Sequence, residues 1–310
     1  EQQLYPELGD RSGVAPSLSN QGLARHAMGD AAGAAALLAQ ADVITRELEL
    51  PAMLQVTLGN RAAFLLQAGD VAGAATALAE QEAICRQTGN RVGLAACLGN
   101  QALVAQQRGD AAAMSALLTE QERICREVGD RPGLVNALGN LVTCAVAAND
   151  APGALRHLDA QLAEARQLGP QGSATVVTNL TVQMRMRPAL GDLAGLHALL
   201  VDVEGTSRAQ GDDAVVAQCL AIRATMAMGS GDLATAGPLL AEAEDLARRS
   251  GNAHALQLAV GNRGLVALQQ GQLDVAEPLL VEQESVSRSA GRPDSRVARF
   301  QASSIARSLK

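Results

Sequence analysis

The hydrophobic and polar positions follow a helical pattern in short segments that are separated by glycine-containing turns. Within residues 71–86, apolar Ala74, Ala77, Leu78 and Ile84 recur at the three- and four-residue spacing of one helix face. Nothing along the chain alternates with the two-residue period of a β-strand. We therefore expect an all-α protein built from helices of similar length.

The turns recur at a step of about 40 residues. Glycine ends a helix by adopting the left-handed conformation, and Asp or Asn caps the helix that follows. A second turn, of the Gly-Asp or Gly-Asn type, lies between successive members of the series. The first-turn pairs are Gly29-Asp30, Gly69-Asp70, Gly109-Asp110, Asn149-Asp150, Gly191-Asp192, Gly231-Asp232 and Gly271-Gln272. A fixed period of this size predicts an α-solenoid, in which each unit packs on its neighbours.

The period divides the chain into about seven antiparallel helix pairs. The predicted repeats are 11–49, 50–89, 90–129, 130–169, 170–211, 212–251 and 252–291. The fifth repeat is irregular, because its turn Gly191-Asp192 comes later than the period requires and Pro188 lies near the end of its first helix. Residues 293–310 are expected to form a capping helix. Residues 1–10 match the end of a repeat, so we expect a longer protein that extends before Glu1.

An arginine ends the second helix of every predicted repeat. A cation there favours the negative end of the helix dipole and can also pair with an acid of the next repeat. These residues are Arg46, Arg86, Arg126, Arg166, Arg208, Arg248 and Arg288. We interpret them as structural residues.

Composition and charge narrow the function classes. The chain has 310 residues, a net charge of −7 and a hydrophobic fraction of 48%. An acidic chain has no global field that attracts nucleic acid or an anionic membrane, and no apolar run reaches the roughly 18 residues of a membrane helix. The five cysteines show no C-x-x-C spacing, which favours a reducing compartment and a cytoplasmic location.

No arrangement of residues indicates catalysis. The four histidines share no repeat position and show no metal-ligand spacing. Nucleophile-elbow, P-loop and dinucleotide-binding motifs are absent, since the glycines are turn residues. We expect neither an enzyme nor a bound metal or cofactor.

An asparagine recurs in the first helix of five repeats. These residues are Asn20, Asn60, Asn100, Asn140 and Asn262. Asparagine is a poor residue in the middle of a helix, so propensity does not explain the series. Its carboxamide offers the donor and the acceptor that a peptide unit needs, yet it could equally bond a neighbouring helix and join the repeats. The sixth repeat has Ile222 at this position, and Asn179 of the fifth stands one residue early.

The repeat resembles a tetratricopeptide repeat of the long form, with units of about 40 residues. Pins-type spindle-orientation adaptors, kinesin light chain and the tails of bacterial signalling ATPases contain such units. The resemblance is carried by Gly59-Asn60, Gly69-Asp70, Ala74, Leu78, Arg86 and Gly89-Asn90, and by Ala276-Glu277-Pro278-Leu279-Leu280. It implies a right-handed superhelix whose first helices line a concave groove, where asparagines bind the backbone of an extended peptide.

The resemblance therefore implies a protein-interaction scaffold with a peptide or protein partner. Under this hypothesis Asn20, Asn60, Asn100 and Asn140 bind the partner. Arg61 and Gln101, which follow two of these asparagines, would contribute specificity. Further candidates in the later repeats are Asn262, Arg223 and Arg263. An alternative role is the sensor or autoinhibitory arm of a larger bacterial signalling protein whose NTPase domain precedes Glu1.

Overall fold

The computed structural model describes residues 13–289 and divides the chain into two compact units, Glu1–Glu164 and Ala165–Lys310. The helices of the first unit are α1 Val14–Ala27, α2 Ala31–Glu47, α3 Pro51–Gln67, α4 Val71–Thr88, α5 Arg91–Gln107, α6 Ala111–Val128, α7 Arg131–Ala147 and α8 Ala151–Gln167, whose last residues fall in the second unit. The second unit contains a 3₁₀ turn Gly169–Gly172, then α9 Ser173–Ala189, α10 Leu193–Gln210, α11 Asp213–Gly229, α12 Leu233–Ser250, α13 Ala253–Gln269 and α14 Leu273–Ser289.

Helices pack with their sequence neighbours in each unit. In the first unit α3 packs against α4, and α4 packs in turn against α5, while the first helices α1, α3, α5 and α7 also contact one another in succession. The second unit repeats this arrangement from α9 to α14. No strand occurs within residues 13–289. The predicted all-α fold of helix-pair repeats is therefore confirmed.

The turns form as the sequence predicts. Gly69 adopts φ 80°, and the Asp70 side chain accepts a hydrogen bond of 2.8 Å from the Gly73 N–H. Asn149 replaces glycine in its turn with φ 55°, a conformation that asparagine tolerates better than most residues. A left-handed residue and a capping side chain thus mark most of these turns, whereas α3 begins after Leu50 and α9 after Gly172 without a side-chain cap.

Buried leucines of the second helices lie at the centre of the core. Leu78 and Leu118 have no exposed surface, and Ala74 and Ala77 pack beside Leu78. The partly buried Ile84 completes the helix face that the sequence pattern indicates. Small residues at these contacts allow close helix packing in a chain that has no Trp, one Tyr and two Phe.

The irregularity of the fifth repeat lies at the start of its first helix. The 3₁₀ turn Gly169–Gly172 delays the start of α9 to Ser173. A Cβ atom at Gly172 would overlap the carbonyl oxygen of Ala165, so the turn requires glycine. Helix α9 continues through Pro188 to Ala189. The predicted capping helix 293–310 and the predicted partial repeat 1–10 lie outside the described residues.

Replacing the glycine of a first turn tests its backbone role. Gly69→Ala should lower the free energy of unfolding by about 1–2 kcal/mol, because alanine is strained at positive φ. No atom lies within 4 Å of the added Cβ, so steric overlap does not contribute. Gly69→Asn is the matched control and should cost less, as Asn149 indicates. Equal midpoints of urea unfolding for the two variants would contradict this explanation.

Candidate functional site

The exposed side of the first helices forms one continuous face in the first unit. Exposed or half-buried positions recur every three or four residues along each helix, which places them on one side of it. We call this surface the first-helix face. Its residues are Pro16, Asn20, Leu23 and Ala27 of α1; Ala52, Val56, Asn60, Ala63 and Gln67 of α3; Val92, Ala96, Asn100, Leu103 and Gln107 of α5; and Pro132, Asn136, Asn140, Thr143 and Ala147 of α7.

The repeated asparagines lie on this face. Asn60, Asn100 and Asn140 are half-buried and occupy the tenth residue of α3, α5 and α7, while Asn20 of α1 is exposed. Within residues 13–289, the side chains of these four asparagines make no hydrogen bond to the protein. Three partly desolvated amides at equivalent positions thus keep both their donors and their acceptor available.

Asn262 of the second unit is different. Its Nδ2 donates a hydrogen bond of 2.9 Å to Oγ1 of Thr225, which lies in the preceding first helix. The residues 37 positions before Asn60, Asn100 and Asn140 are Leu23, Ala63 and Leu103, whose side chains have no acceptor. Asn262 thus bonds the preceding first helix, whereas the side chains of Asn60, Asn100 and Asn140 make no such bond within residues 13–289.

Arg61 and Gln101, the residues that follow Asn60 and Asn100, are held by the preceding repeat. Arg61 lies 3.0 Å from a carboxylate oxygen of Asp42, and Gln101 donates a hydrogen bond of 2.7 Å to Glu82. Each acid precedes its partner by 19 residues and lies on the second helix of the preceding repeat. In the second unit the same spacing pairs Arg223 with Glu204 and Arg263 with Glu244.

These acids have a second partner in their own helix. Asp42 also accepts from Arg46, and Glu82 from Arg86, at the i,i+4 spacing. Arg46 also forms an ion pair of 2.6 Å with Glu80, which lies on the second helix of the following repeat. The second unit shows the same link between Arg208 and Glu242 and between Arg248 and Glu282. The prediction that the repeated arginines pair with an acid of the next repeat is thus confirmed at these positions.

Glu82 illustrates the electrostatics of this cluster. The hydrogen bond from Gln101 is the main cause that lowers the pKa of Glu82 below its ordinary value, and Arg86 acts in the same direction. Partial burial opposes both effects. Glu82 is therefore ionised at neutral pH and binds the first helix of the next repeat to its own second helix.

Two second-helix glutamines, which the repeat pattern alone did not single out, also pack against the first helices. Gln81 and Gln121 are almost fully buried and lie against Gly59 and Gly99, the glycines that precede two of the asparagines. A Cβ atom at Gly99 would lie 2.8 Å from Nε2 of Gln121. The glycine thus makes room for the glutamine. The signal is present in the sequence, because the spacing between glycine and glutamine is the same in both repeats.

The fifth repeat departs from the predicted register. Asn179 is the seventh residue of α9, three residues before the position that Asn140 occupies in α7, and Val182 stands at the equivalent position. The expected offset of one residue was wrong because the 3₁₀ turn Gly169–Gly172 shifts the helix start. Asn179 is buried and accepts a hydrogen bond from Gln183. It belongs to the interior of the second unit.

Polar side chains also join the first helices of the second unit. Nε2 of the fully buried Gln218 donates to Thr181 at 3.3 Å, and its Oε1 lies 3.1 Å from Nδ1 of His254. These three residues belong to α9, α11 and α13. Amides of the second unit are thus used within the protein, in contrast to those of the first-helix face.

Three buried cysteines have raised pKa values. Burial raises the pKa of Cys97 and Cys219 to about 12 and that of Cys125 to about 11, so these thiols stay protonated. Among the described residues, no group of three His, Cys, Asp or Glu side chains is placed to hold a metal ion. No helix within residues 13–289 has the length and apolar character required to span a membrane.

Comparisons with known proteins support the fold. No protein-family model and no curated protein sequence matches the chain. BtubC (BKLC) from P. vanneervenii is similar in structure, with a TM-score of 0.57 and 17% identity over 72% of this chain and 84% of that chain. At this identity the likeness concerns the fold alone, and it agrees with the array of helix pairs.

Two further solved structures show weaker likeness. The Rap protein complexed with competence and sporulation factor has a TM-score of 0.49 and 11% identity, over 88% of this chain and 74% of that chain. The apo form of the quorum sensor NprR from B. thuringiensis also has a TM-score of 0.49, at 10% identity over 94% and 79% of the two chains. The narrower resemblance to Pins-type adaptors and kinesin light chain stays a prediction.

Replacing Gln101 tests whether its hydrogen bond lowers the pKa of Glu82. Gln101→Ala should raise the pKa of Glu82 toward its ordinary 4.5, as measured by NMR titration of the carboxyl carbon. A depressed pKa contributes stability that is present at neutral pH and lost as the pH falls through the folded-state value. The variant should therefore lose less stability than the wild type between about pH 7 and about pH 3.

The control is Gln106→Ala, an exposed residue of the same helix whose side chain makes no hydrogen bond within residues 13–289. It should leave the titration of Glu82 unchanged. An unchanged pKa of Glu82 in Gln101→Ala would show that Gln101 does not hold this acid in solution.

Proposed function

We propose that the first unit is a protein-interaction module that binds an extended segment of a partner protein on the first-helix face. Asn60, Asn100 and Asn140 hold the backbone of that segment, and Asn20 extends the row. The observation that carries the proposal is the set of three half-buried amides at repeat-equivalent positions without protein partners. The resemblance to long tetratricopeptide repeats, in which such asparagines bind peptide backbone, supports it.

The chemistry of the amides favours an extended ligand. An extended segment presents unpaired N–H and C=O groups, and each carboxamide offers one partner to both. A partner helix has already satisfied its own backbone groups, so it would leave the amides unpaired. Packed helices stand about 8–10 Å apart, so four asparagines span on the order of 30 Å. At about 3.3 Å per residue, this length accommodates roughly nine residues of ligand.

Arg61 and Gln101 flank the row and would contribute to specificity. Their ion pair with Asp42 and hydrogen bond to Glu82 fix their direction and leave donors unused, since a guanidinium group has five. Arg223 and Arg263 are held by equivalent acids in the second unit, and Asn262 is bonded to Thr225. We therefore place the ligand on the first unit.

The proposed role is non-catalytic and requires no cofactor. Free, mostly buried cysteines fit a reducing, cytoplasmic location. The same face could act in an independent scaffold or in the sensor arm of a larger signalling ATPase. A sequence upstream of Glu1 that contains a P-loop would favour the sensor arm, and its partner segment could then come from the same protein.

The asparagine row is tested by a double substitution. The probe is a displayed library of random peptides of about nine residues, followed by synthesis of those that the wild type enriches. Asn60→Ala combined with Asn100→Ala should weaken binding of these peptides by about tenfold to a hundredfold, since each lost hydrogen bond contributes about 0.5–1.5 kcal/mol. The melting temperature should stay unchanged, because neither side chain is bonded within the described residues.

Asn262→Ala is the matched control. It removes the hydrogen bond to Thr225 and should lower the free energy of unfolding by about 1 kcal/mol without changing peptide affinity. If instead the Asn60 and Asn100 variant melts at a clearly lower temperature, these asparagines join the repeats and the proposed binding role fails.

The hydrogen bond between Asn262 and Thr225 in the second unit suggests a second test. Ala63→Thr places a hydroxyl where Thr225 stands relative to Asn262, so Asn100 should bond within the protein and bind peptide more weakly. Ala63→Val has nearly the same shape and no hydroxyl, and it serves as the control. We expect a loss of affinity severalfold greater for threonine than for valine. Equal losses would indicate that bulk at this position, and not occupation of the amide, controls binding.

A further inference from the structure

Charge is distributed unequally between the helices of the first unit. Helices α1, α3, α5 and α7 contain no acidic residue, whereas the second helices carry acids such as Glu80, Glu82 and Glu120. The only formally charged residues of the first helices are Arg25, Arg61, Arg91 and Arg131. The first-helix face is therefore free of acids along its described length.

Each of the four arginines pairs with an acid that lies outside the first-helix face. Arg25 pairs with Asp30 at 3.0 Å, and Arg61 pairs with Asp42 at the same distance. Arg91 forms an ion pair with Glu127. Each of these acids lies on a second helix or at its N-cap.

Arg131 completes the set, because it lies 3.4 Å from a carboxylate oxygen of Glu164 on the second helix α8. All four arginines of the first helices in the first unit are thus paired with acids outside the first-helix face. What the face presents is amides surrounded by small apolar groups.

Apolar side chains occupy the positions between the amides. Val56 and Val92 are 57% and 54% exposed, and Leu103 is 37% exposed. Ala63 and Ala96 leave room beside them. Such a surface favours apolar contacts with ligand side chains, while a charged ligand side chain would lose water there without gaining an ionic partner.

We propose that the segment bound by the first-helix face is uncharged along its bound length, with small apolar side chains between backbone groups held by the amides. This inference rests on the proposed function and defines its ligand class. Binding of such a segment does not depend on long-range charge, so its affinity is insensitive to ionic strength.

The experiment uses the random peptide library described above on the full chain. We expect the enriched peptides to contain few Asp, Glu, Lys or Arg residues. Affinities of their synthetic forms, measured by fluorescence anisotropy, should change less than about twofold between about 50 mM and about 500 mM NaCl. Enrichment of charged peptides, or a weakening of about tenfold over this range, would overturn the inference.

A charge introduced on the first-helix face tests the uncharged ligand class independently. Ala96→Glu, on the exposed side of α5 next to Asn100, should weaken the enriched peptides at least tenfold. Ala116→Glu, at an exposed position of the second helix α6, adds the same charge outside the face and should leave affinity unchanged. Unchanged binding by Ala96→Glu would show that the ligand does not contact this strip.

The proposed function and its ligand class can fail separately. Charged, salt-sensitive peptides whose binding still requires Asn60 and Asn100 would overturn the neutral ligand and leave the binding role standing. If no enriched peptide depends on these asparagines, the proposed function fails and the ligand class fails with it.

Discussion

An acid near the end of a second helix, such as Glu82 or Glu244, fixes the register between successive repeats at four places in the described residues, two in each unit. Its carboxylate accepts from an arginine one turn later in the same helix and from the first helix of the next repeat. A helix pair of this size cannot bury its apolar surface alone, so each repeat must pack on its neighbours. Apolar packing provides the stability, while the carboxylate, because it is directional, selects one alignment of the stacked pairs.

This arrangement also explains where charge is found. Arginines and acids that pair from repeat to repeat occupy the second helices, and the arginines at the edges of the first helices turn toward them. The opposite side of the first helices is thereby left without charge. Segregation of this kind lets one layer hold the repeats in register while the other remains available for contacts. Asn60 and Asn100 lie in the layer of first helices, and the ion pairs between repeats lie in the layer of second helices or at its edge.

The sequence was sufficient for features that depend on neighbouring residues. Turn glycines, capping side chains and the buried face around Leu78 follow local rules, and the structure shows them at the expected positions. Features that depend on two repeats were harder to predict. The partner of Arg61 is an acid on the second helix of the preceding repeat. Asn262 donates to the hydroxyl of Thr225, whereas the residue 37 positions before Asn100 is Ala63, which has no hydroxyl. Such contacts become visible only when the register of adjacent helices is known.

The fifth repeat shows how a small backbone change removes a predicted position. Two additional residues between the Gly-Asp turns produce the 3₁₀ turn Gly169–Gly172, and α9 begins later than counting from the glycine suggests. Asn179 consequently lies inside the second unit, and Val182 takes the position on the exposed side. From there to α13, polar side chains such as Gln218 bond between helices instead of remaining available. One repeat sequence thus supports two uses of the same polar chemistry, and the choice between them is set by whether the neighbouring helix offers a partner.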